Sequence, residues 1–144
     1  MSFVKLEDIF HPLDFVGFNI KKMNFNLVRN LDPYKSDILY DFNILEVKKE
    51  EQKDRIIMLG VIEFTVMVKF DDEIMLEILI EGGFIMPTDI DEELFVDLLK
   101  REGAPILYDI IRYKVFELSM INQFQDKFLL PLIDFEAFFK KLEE

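Results

Sequence analysis

The 144-residue sequence contains no cysteine, and its one histidine is His11. Disulfides, cysteine nucleophiles and thiolate metal sites are therefore excluded, and so is a metal site built from several histidines. His11 precedes Pro12 in a predicted N-terminal loop, where a structural or exposed role is expected. Ser2, Ser36 and Ser119 stand in no nucleophile-elbow or triad pattern. These absences predict a protein that is not an enzyme and uses no cofactor or metal.

Basic charge and long apolar runs are also scarce. Seventeen Lys and Arg stand against 29 Asp and Glu, a formal net charge of −12, which argues against nucleic acid and anionic membrane surfaces as partners. No apolar run approaches the roughly 20 residues of a membrane span. Residues 1–20 contain Glu7, Asp8 and Asp14, which a signal peptide would not tolerate. The sequence predicts a cytoplasmic protein without membrane insertion.

Large apolar side chains are abundant by contrast. Hydrophobic residues make up 51% of the chain, with 16 Phe and 7 Met. One explanation is simply a phenylalanine-rich core. The other is that part of this apolar surface forms an oligomer interface or a binding groove, for which adaptable Met and large Phe are suited.

Alternating apolar and polar residues predict strands in the first half of the chain. Residues 48–54 are predicted to connect the second and third strands, Asp71-Asp72 to form the next turn, and Gly82-Gly83 to end the fourth strand. Short connections predict an antiparallel meander. The predicted strands are Ile20–Arg29, Ile38–Val47, Arg55–Phe70 and Ile74–Ile80.

The third predicted strand is apolar on both faces in its first half. Ile57, Leu59 and Val61 lie on the face opposite to the main apolar one. An antiparallel sheet that is covered by helices on one side is expected to be more polar on its other side. We expect a sheet of another subunit to pack there; the alternative is that the monomer itself covers both faces.

Helical spacing replaces alternation after Pro87. Thr88 or Asp89 is a candidate N-cap, and Gly103 is predicted to end the first helix. Pro105 is predicted as the first residue of a longer helix that reaches about Ile121.

A last, amphipathic helix is predicted after the N-cap candidate Asp134. It either packs on the core or acts as a lid over an apolar groove. Residues 1–144 show no repeat or linker and are predicted to form a single domain. The apolar positions of this helix follow the i, i+3, i+4, i+7 spacing: Phe135, Phe138, Phe139 and Leu142.

Several motifs between Leu76 and Leu142 resemble the SecB family of export chaperones. The chain has them in the family's order, with a weaker match upstream at the first strand, Lys22-Met23-Asn24-Phe25. Each motif alone has low specificity, and their joint order carries the resemblance. The motifs are Gly82-Gly83-Phe84, then Pro105-Ile106-Leu107-Tyr108 with Arg112, and then Leu130-Pro131-Leu132-Ile133-Asp134-Phe135 followed by Phe138-Phe139.

The resemblance implies an α+β fold, SecB-like, with a four-stranded antiparallel sheet packed with C-terminal helices. It also implies a homotetramer, a dimer of dimers, that holds unfolded polypeptides or preproteins in apolar grooves without ATP. The candidate polypeptide-binding residues are Phe84, Leu107, Tyr108, Phe124, Leu130, Phe135, Phe138 and Phe139.

Some positions depart from the export-type pattern. Lys22, Asn26 and Ile78 stand where that pattern has acidic residues that help to dock the translocation motor SecA. The resemblance leaves SecA as a partner in doubt. Three hypotheses stay open: a SecB-like holding chaperone, a SecB-like chaperone dedicated to one client such as an antitoxin, and a non-chaperone oligomeric interaction protein on the same fold.

Overall fold

The computed structural model describes residues 2–26, 36–121 and 129–144. The first half of the chain contributes a short helix and four strands, and the second half contributes helices. This arrangement confirms the predicted α+β class. The elements are α1 (Leu6–Ile9), β1 (Asp14–Phe25), β2 (Asp37–Gln52), β3 (Arg55–Phe70), β4 (Glu73–Met86), α2 (Glu92–Leu98), a π-helical segment (Leu99–Gly103), α3 (Ala104–Ile121) and α4 (Phe135–Leu142).

The four strands form one antiparallel sheet in the order β1-β4-β3-β2. Two-residue turns close the hairpins on either side of β3, at Lys53-Asp54 and at Asp71-Asp72. All four turn residues have positive φ, between 48° and 65°, as type I′ turns require. The predicted meander is confirmed for β2, β3 and β4 but is wrong for β1, which pairs with β4 and forms the far edge.

The strands are longer than the alternation predicts, except for β3, whose predicted limits are confirmed. Residues 48–52 belong to β2 and not to a connection. Because β2 is an edge strand, its charged end discourages pairing with other chains. β1 begins at Asp14 rather than at Ile20. The remainder of the predicted first strand, residues 27–29, lies outside the described residues.

Gly82 and Gly83 do not end β4, which continues to Met86. They lie inside the sheet, where Gly82 pairs with Phe18 of β1 and with Ile62 of β3. A Cβ built on Gly82 would lie 2.5 Å from Leu107 Cδ2 on α3, whereas one built on Gly83 would meet nothing within 4 Å. The two neighbouring glycines therefore face opposite sides of the sheet, and only Gly82 lets a helix approach closely.

The helical course is continuous from Glu92 to Ile121, so the predicted break at Gly103 is wrong. The backbone widens into a π turn in which the N–H of Ala104 donates to the carbonyl oxygen of Leu99. This wider turn lies directly before Pro105, whose ring would clash with a regular preceding helical turn. Gly103 packs closely instead: a Cβ there would lie 3.0 Å from Ile62 Cδ1.

The core lies between the sheet and α2, the π-helical segment and α3. Even-numbered side chains of β3 from Met58 to Val68 are buried, while the odd-numbered ones are half-buried. The helices reach the sheet through its even-numbered side, for example where Leu99 and Phe95 stand over Gly60. We call the opposite side, with Ile57, Leu59 and Val61, the open face.

Candidate functional site

Helix α4 forms from strong local signals. Asp134 is its N-cap, as predicted, and its carboxylate accepts a hydrogen bond from the N–H of Ala137 at 3.1 Å. Glu136 in the first turn and Lys140 and Lys141 in the last turn suit the helix dipole. Among its eight residues none is buried, although its phenylalanines pack against the core.

The phenylalanines of α4 stand on a set of rings that we call the aromatic floor, which consists of Tyr40 and Phe42 on β2, Phe64 on β3 and Tyr108 on α3. Phe42 and Phe64 are register partners, which places them side by side on the helix-facing side of the sheet. Together the floor and α4 form one continuous aromatic cluster. The ring centroids of α4 residues lie 5.7 Å (Phe138 to Phe64), 5.0 Å (Phe139 to Phe42) and 6.0 Å (Phe135 to Tyr108) from the floor.

The segment before α4 is tied to α3 by two hydrogen bonds. The hydroxyl of Tyr108 donates to the carbonyl oxygen of Pro131 at 2.5 Å, and Nε of Arg112 donates to that of Leu130 at 2.9 Å. Leu130 is fully buried. The chain therefore enters α4 from a point that is fixed to α3.

A second phenol completes this network. The hydroxyl of Tyr40 lies 3.0 Å from that of Tyr108. Each phenol has one proton, and because Tyr108 donates its own to Pro131, Tyr40 donates to Tyr108. Burial raises the pKa of both hydroxyls above that of an exposed tyrosine. Both groups are therefore neutral donors at physiological pH.

A cleft of about 590 Å³ runs between α4 and residues 92–103, which comprise α2 and the π-helical segment and are called the α2–π segment. Phe135 and Phe139 give it an apolar base, and charged side chains form its rim. Nζ of Lys100 lies 3.9 Å from Oε1 of Glu143 and 5.8 Å from the ring centroid of Phe139. Among the described residues, these contacts connect the α2–π segment to Phe139 of α4 and to its C-cap residue Glu143, and exposed ion pairs of this kind stabilise only slightly.

The predicted binding residues fall into three groups. Phe84, Leu107, Tyr108 and Leu130 are buried, each with at most 2% of its surface exposed. Phe124 lies outside the described residues. Phe135, Phe138 and Phe139 are half-buried and lie together on the aromatic floor. The structure thus brings Tyr108 and the α4 phenylalanines together, and their role in binding polypeptide stays a prediction.

Three residues of the aromatic floor were missing from the predicted site. Tyr40 and Phe42 alternate on β2, and Phe64 lies on the main apolar face of β3. Alternation places them on one side of the sheet, but it does not show that α4 covers that part of it. A preference for aromatic residues over aliphatic ones at these strand positions is the signal that could have marked them.

Large apolar side chains outside this cluster are exposed as well. The largest exposed fractions are 88% for Phe3 and 79% for Leu132. Scattered exposed apolar residues are ordinary, but phenylalanines and leucines that are this exposed are available to a partner. Other strongly exposed side chains are Val4, Leu6, Phe10, Val16, Leu94 and Tyr113.

The positions compared with the SecA-docking pattern have different surroundings. Lys22 forms an ion pair with Glu77 across the β1–β4 pairing, with 2.9 Å between Nζ and Oε1. The exposed Asn26 donates its backbone N–H to the carbonyl oxygen of Met75. Ile78 is buried in the core, so its apolar character carries no information about a docking surface.

Two of the polar groups considered for catalysis, His11 and Ser119, have structural partners. Nδ1 of His11 accepts the backbone N–H of Leu13 at 3.0 Å, and the hydroxyl of Ser119 donates to the carbonyl oxygen of Phe116 at 2.7 Å. In the described part of the chain, no group of three or more His, Asp and Glu side chains is arranged to hold a metal ion. No described helix is long and apolar enough to cross a membrane.

Comparison with solved structures shows a similar fold in a SecB-like chaperone, Rv1957 of Mycobacterium tuberculosis, in complex with a ChAD peptide from the antitoxin Rv1956 HigA1. The TM-score is 0.53 at 13% sequence identity, and the match covers 85% of this chain and 88% of that one. No protein-family model and no curated protein matches the sequence. The likeness supports the predicted SecB-like fold.

Proposed function

We propose that this protein is an ATP-independent molecular chaperone, a holdase that binds unfolded polypeptides or preproteins on apolar surface. The observation that carries the proposal is the aromatic floor. It is covered by α4, and no residue of α4 is buried, so this aromatic cluster lies at the surface of the molecule. A similar fold in a SecB-like chaperone bound to an antitoxin peptide supports it.

The mechanism requires only burial of apolar surface. Each square ångström of apolar surface removed from water contributes about 25 cal/mol, so a client segment of a few large side chains binds weakly by itself. Several segments of one client that bind to an oligomer gain avidity. The net charge of −12 attracts basic clients and keeps a protein with exposed apolar groups in solution. We propose neither a catalytic step nor a cofactor.

The proposed assembly is a homotetramer in the cytoplasm. Support for self-association comes from the open face, where Ile57, Leu59, Val61, Leu79 and Ile85 are half-buried without a helix over them among the described residues. Light scattering coupled to size exclusion measures the assembly directly. A monomer at micromolar concentration would contradict this part of the proposal.

A single dedicated client is the second candidate function. The similar SecB-like chaperone was solved with a peptide of an antitoxin, and Lys22 on β1 is engaged by Glu77 where the export pattern has an acidic docking residue. SecA therefore remains the less favoured partner. An antitoxin encoded beside this protein, and stabilised by it alone, would favour the dedicated role.

The decisive test is suppression of aggregation. The assembled protein is mixed with a denatured, aggregation-prone protein at stoichiometric concentrations, and light scattering is followed over time without ATP. We expect scattering to fall in proportion to the amount added. If a correctly assembled oligomer suppresses nothing, the holdase proposal fails and a non-chaperone interaction protein on this fold becomes the better explanation.

A further inference from the structure

Residues 2–13, which we call the N-terminal arm, carry large apolar side chains that are mostly exposed. The exposed fractions are 88% for Phe3, 70% for Leu6 and 65% for Phe10. The helix α1 within the arm has four residues and an acidic first turn, and isolated helices shorter than about 12 residues are marginal in water. The arm is therefore an acidic, apolar segment whose helix needs a surface to pack on.

The arm begins on the helix-facing side of the sheet. Leu13 packs against the core, and its backbone N–H donates to Nδ1 of His11 at 3.0 Å. The next residue, Asp14, starts β1 and is the register partner of Ile85 on β4. Pro12 restricts the backbone between them. Local contacts therefore fix the place from which the arm leaves the sheet.

A cleft of about 390 Å³, which we call the hairpin cleft, lies at the end of the sheet where β2 turns into β3. Ile57 gives it an apolar base and belongs to the open face, so the cleft continues the apolar surface of that face. Its lining contains two basic side chains and no acidic one. The lining residues are Gln52, Lys53, Arg55, Ile57 and Pro87.

The two basic residues of the hairpin cleft stand out in an acidic chain. Eleven other described Lys and Arg side chains form ion pairs. Among the described residues, Lys53, Arg55 and Lys69 have no such pair, and two of these three line the same cleft. The nearby acidic residues Glu50 and Asp54 do not line it. The cleft thus suits an acidic, apolar ligand.

The arm of the same chain is badly placed to fill this cleft. Phe10 lies three residues before Leu13, so the two residues are at most about 11 Å apart. β4 separates β1 from β3, which already places those strands about 10 Å apart. The cleft also lies on the open face, whereas Leu13 packs on the opposite side of the sheet. A second copy of the chain does not have this constraint.

We propose that the N-terminal arm of one copy docks in the hairpin cleft of a second copy. Phe10 packs on the apolar base of the cleft, and Glu7, three residues earlier, faces Lys53 and Arg55. Two-fold symmetry makes the exchange reciprocal, so that each pair of copies has two such contacts. The two phenylalanines of an arm present about 300 Å². Two arms and the surfaces that receive them then bury about 1,200 Å², the lower limit of specific, stable interfaces.

This interface goes beyond the proposed holding function. It includes neither the aromatic floor nor α4, and it joins copies of the chain whether or not they hold clients. It also differs from the packing of one open face on another, because an arm rather than a sheet provides the second surface. Its tests therefore measure self-association and the position of the arm.

The absence of cysteine from the chain allows the position to be tested by crosslinking. Chains with Leu6→Cys are mixed with longer, tagged chains that carry Gln52→Cys, and a short thiol-specific crosslinker is added. We expect a product that contains one chain of each kind. The control replaces Gln52→Cys by Glu73→Cys, an exposed position at the opposite end of the sheet, and should give at least about tenfold less product.

Two results of this experiment contradict the proposal. Equal crosslinking to positions 52 and 73 would show that the arm has no preferred site. A chain that carries both Leu6→Cys and Gln52→Cys and crosslinks only within itself would show that the arm folds back on its own cleft.

Exchange of charges tests the recognition. Glu7→Lys with Asp8→Lys should weaken self-association at least about tenfold, because like charges then meet, and so should Lys53→Glu with Arg55→Glu. All four changes in one chain restore opposite charges and should return the affinity to within about threefold. Sedimentation over a concentration series measures each value. Unchanged association after either reversal, or no recovery in the combined variant, overturns the proposal.

The apolar contact has a matched control. Leu6→Ser with Phe10→Ser should weaken self-association about tenfold or more without changing the urea midpoint, because both side chains are exposed in the single copy. Leu94→Ser with Leu132→Ser, at positions exposed to 60% and 79%, should leave association unchanged. Full assembly by the arm variant would overturn the arm exchange and leave a tetramer formed through other surfaces. Failure to suppress aggregation, in contrast, bears on the holding function alone.

Discussion

The hydroxyl of Tyr40 on β2 lies 3.0 Å from the hydroxyl of Tyr108 on α3, with the two rings packed edge to face at 5.5 Å between centroids. The hydroxyl of Tyr108 in turn donates a hydrogen bond to the carbonyl oxygen of Pro131. One pair of phenols thus connects the edge of the sheet, the long helix and the segment that leads into α4.

Tyr108→Phe is expected to lower the free energy of unfolding by about 1–3 kcal/mol, because the carbonyl oxygen of Pro131 loses its donor. Tyr40→Phe leaves that bond in place and should cost about 0.5–1.5 kcal/mol. Both replacements keep the ring, so packing is matched. Urea unfolding measures the two values, and a larger loss for Tyr40→Phe would show that Tyr40 is the more important member of the pair.

The same pair should give a dependence on alkaline pH. Burial raises the pKa of Tyr108 and of Tyr40 in the folded state, whereas the unfolded chain titrates near about 10. The folded state therefore holds these protons more tightly. Their contribution to the free energy of unfolding is complete below about pH 10 and is lost as the pH rises above that value. The stability difference between the unsubstituted protein and Tyr108→Phe should be constant from about pH 7 to 9 and then shrink. A difference that grows above pH 10 would contradict this sign.

Gly82 and Gly83 offer a matched pair on opposite sides of β4. A Cβ on Gly82 would lie 2.5 Å from Leu107 Cδ2, and Leu107 is fully buried, so Gly82→Ala should destabilise by about 1–3 kcal/mol through overpacking. Gly83→Ala meets nothing within 4 Å and should be neutral or stabilising by about 0.5–1 kcal/mol. Thermal or urea unfolding distinguishes them, and equal losses would show that α3 does not pack over Gly82.

Asp134→Ala removes the side-chain oxygen that caps α4. Loss of an N-cap costs about 0.5–2 kcal/mol, and we expect it to appear as faster amide exchange in α4 with α3 unchanged. Asp134→Asn retains an acceptor and is the control. If Asp134→Ala also accelerates exchange in α3, the two helices open together and α4 is not independently held.

Much of the fold can be predicted because its signals are local. The alternation of β3 gives its limits at Arg55 and Phe70, and the Asp71-Asp72 turn follows from the residue types that such turns accept. Asp134 marks the start of α4 by the same kind of chemistry. A strand or helix face can be identified from spacing alone, since side chains repeat every 2 or 3.6 residues.

The candidate site could be predicted only in part. Spacing identifies Phe135, Phe138 and Phe139 as one face of a helix, but it cannot distinguish a buried ring from a half-exposed one. Phe84 and Leu107 belong to equally apolar stretches and are buried. The aromatic floor joins residues 40 and 108, and no local pattern connects positions so far apart.

By itself the sequence determined that strands precede helices, which faces of these elements are apolar, and that no cysteine is present for thiol chemistry. The tertiary structure decided that β1 lies beside β4, that the helical course continues through Gly103, and that α4 covers Tyr40, Phe42 and Phe64. The physical reason is that periodicity fixes the direction of a side chain relative to its own backbone. What that side chain meets depends on close packing between elements that are distant in the chain.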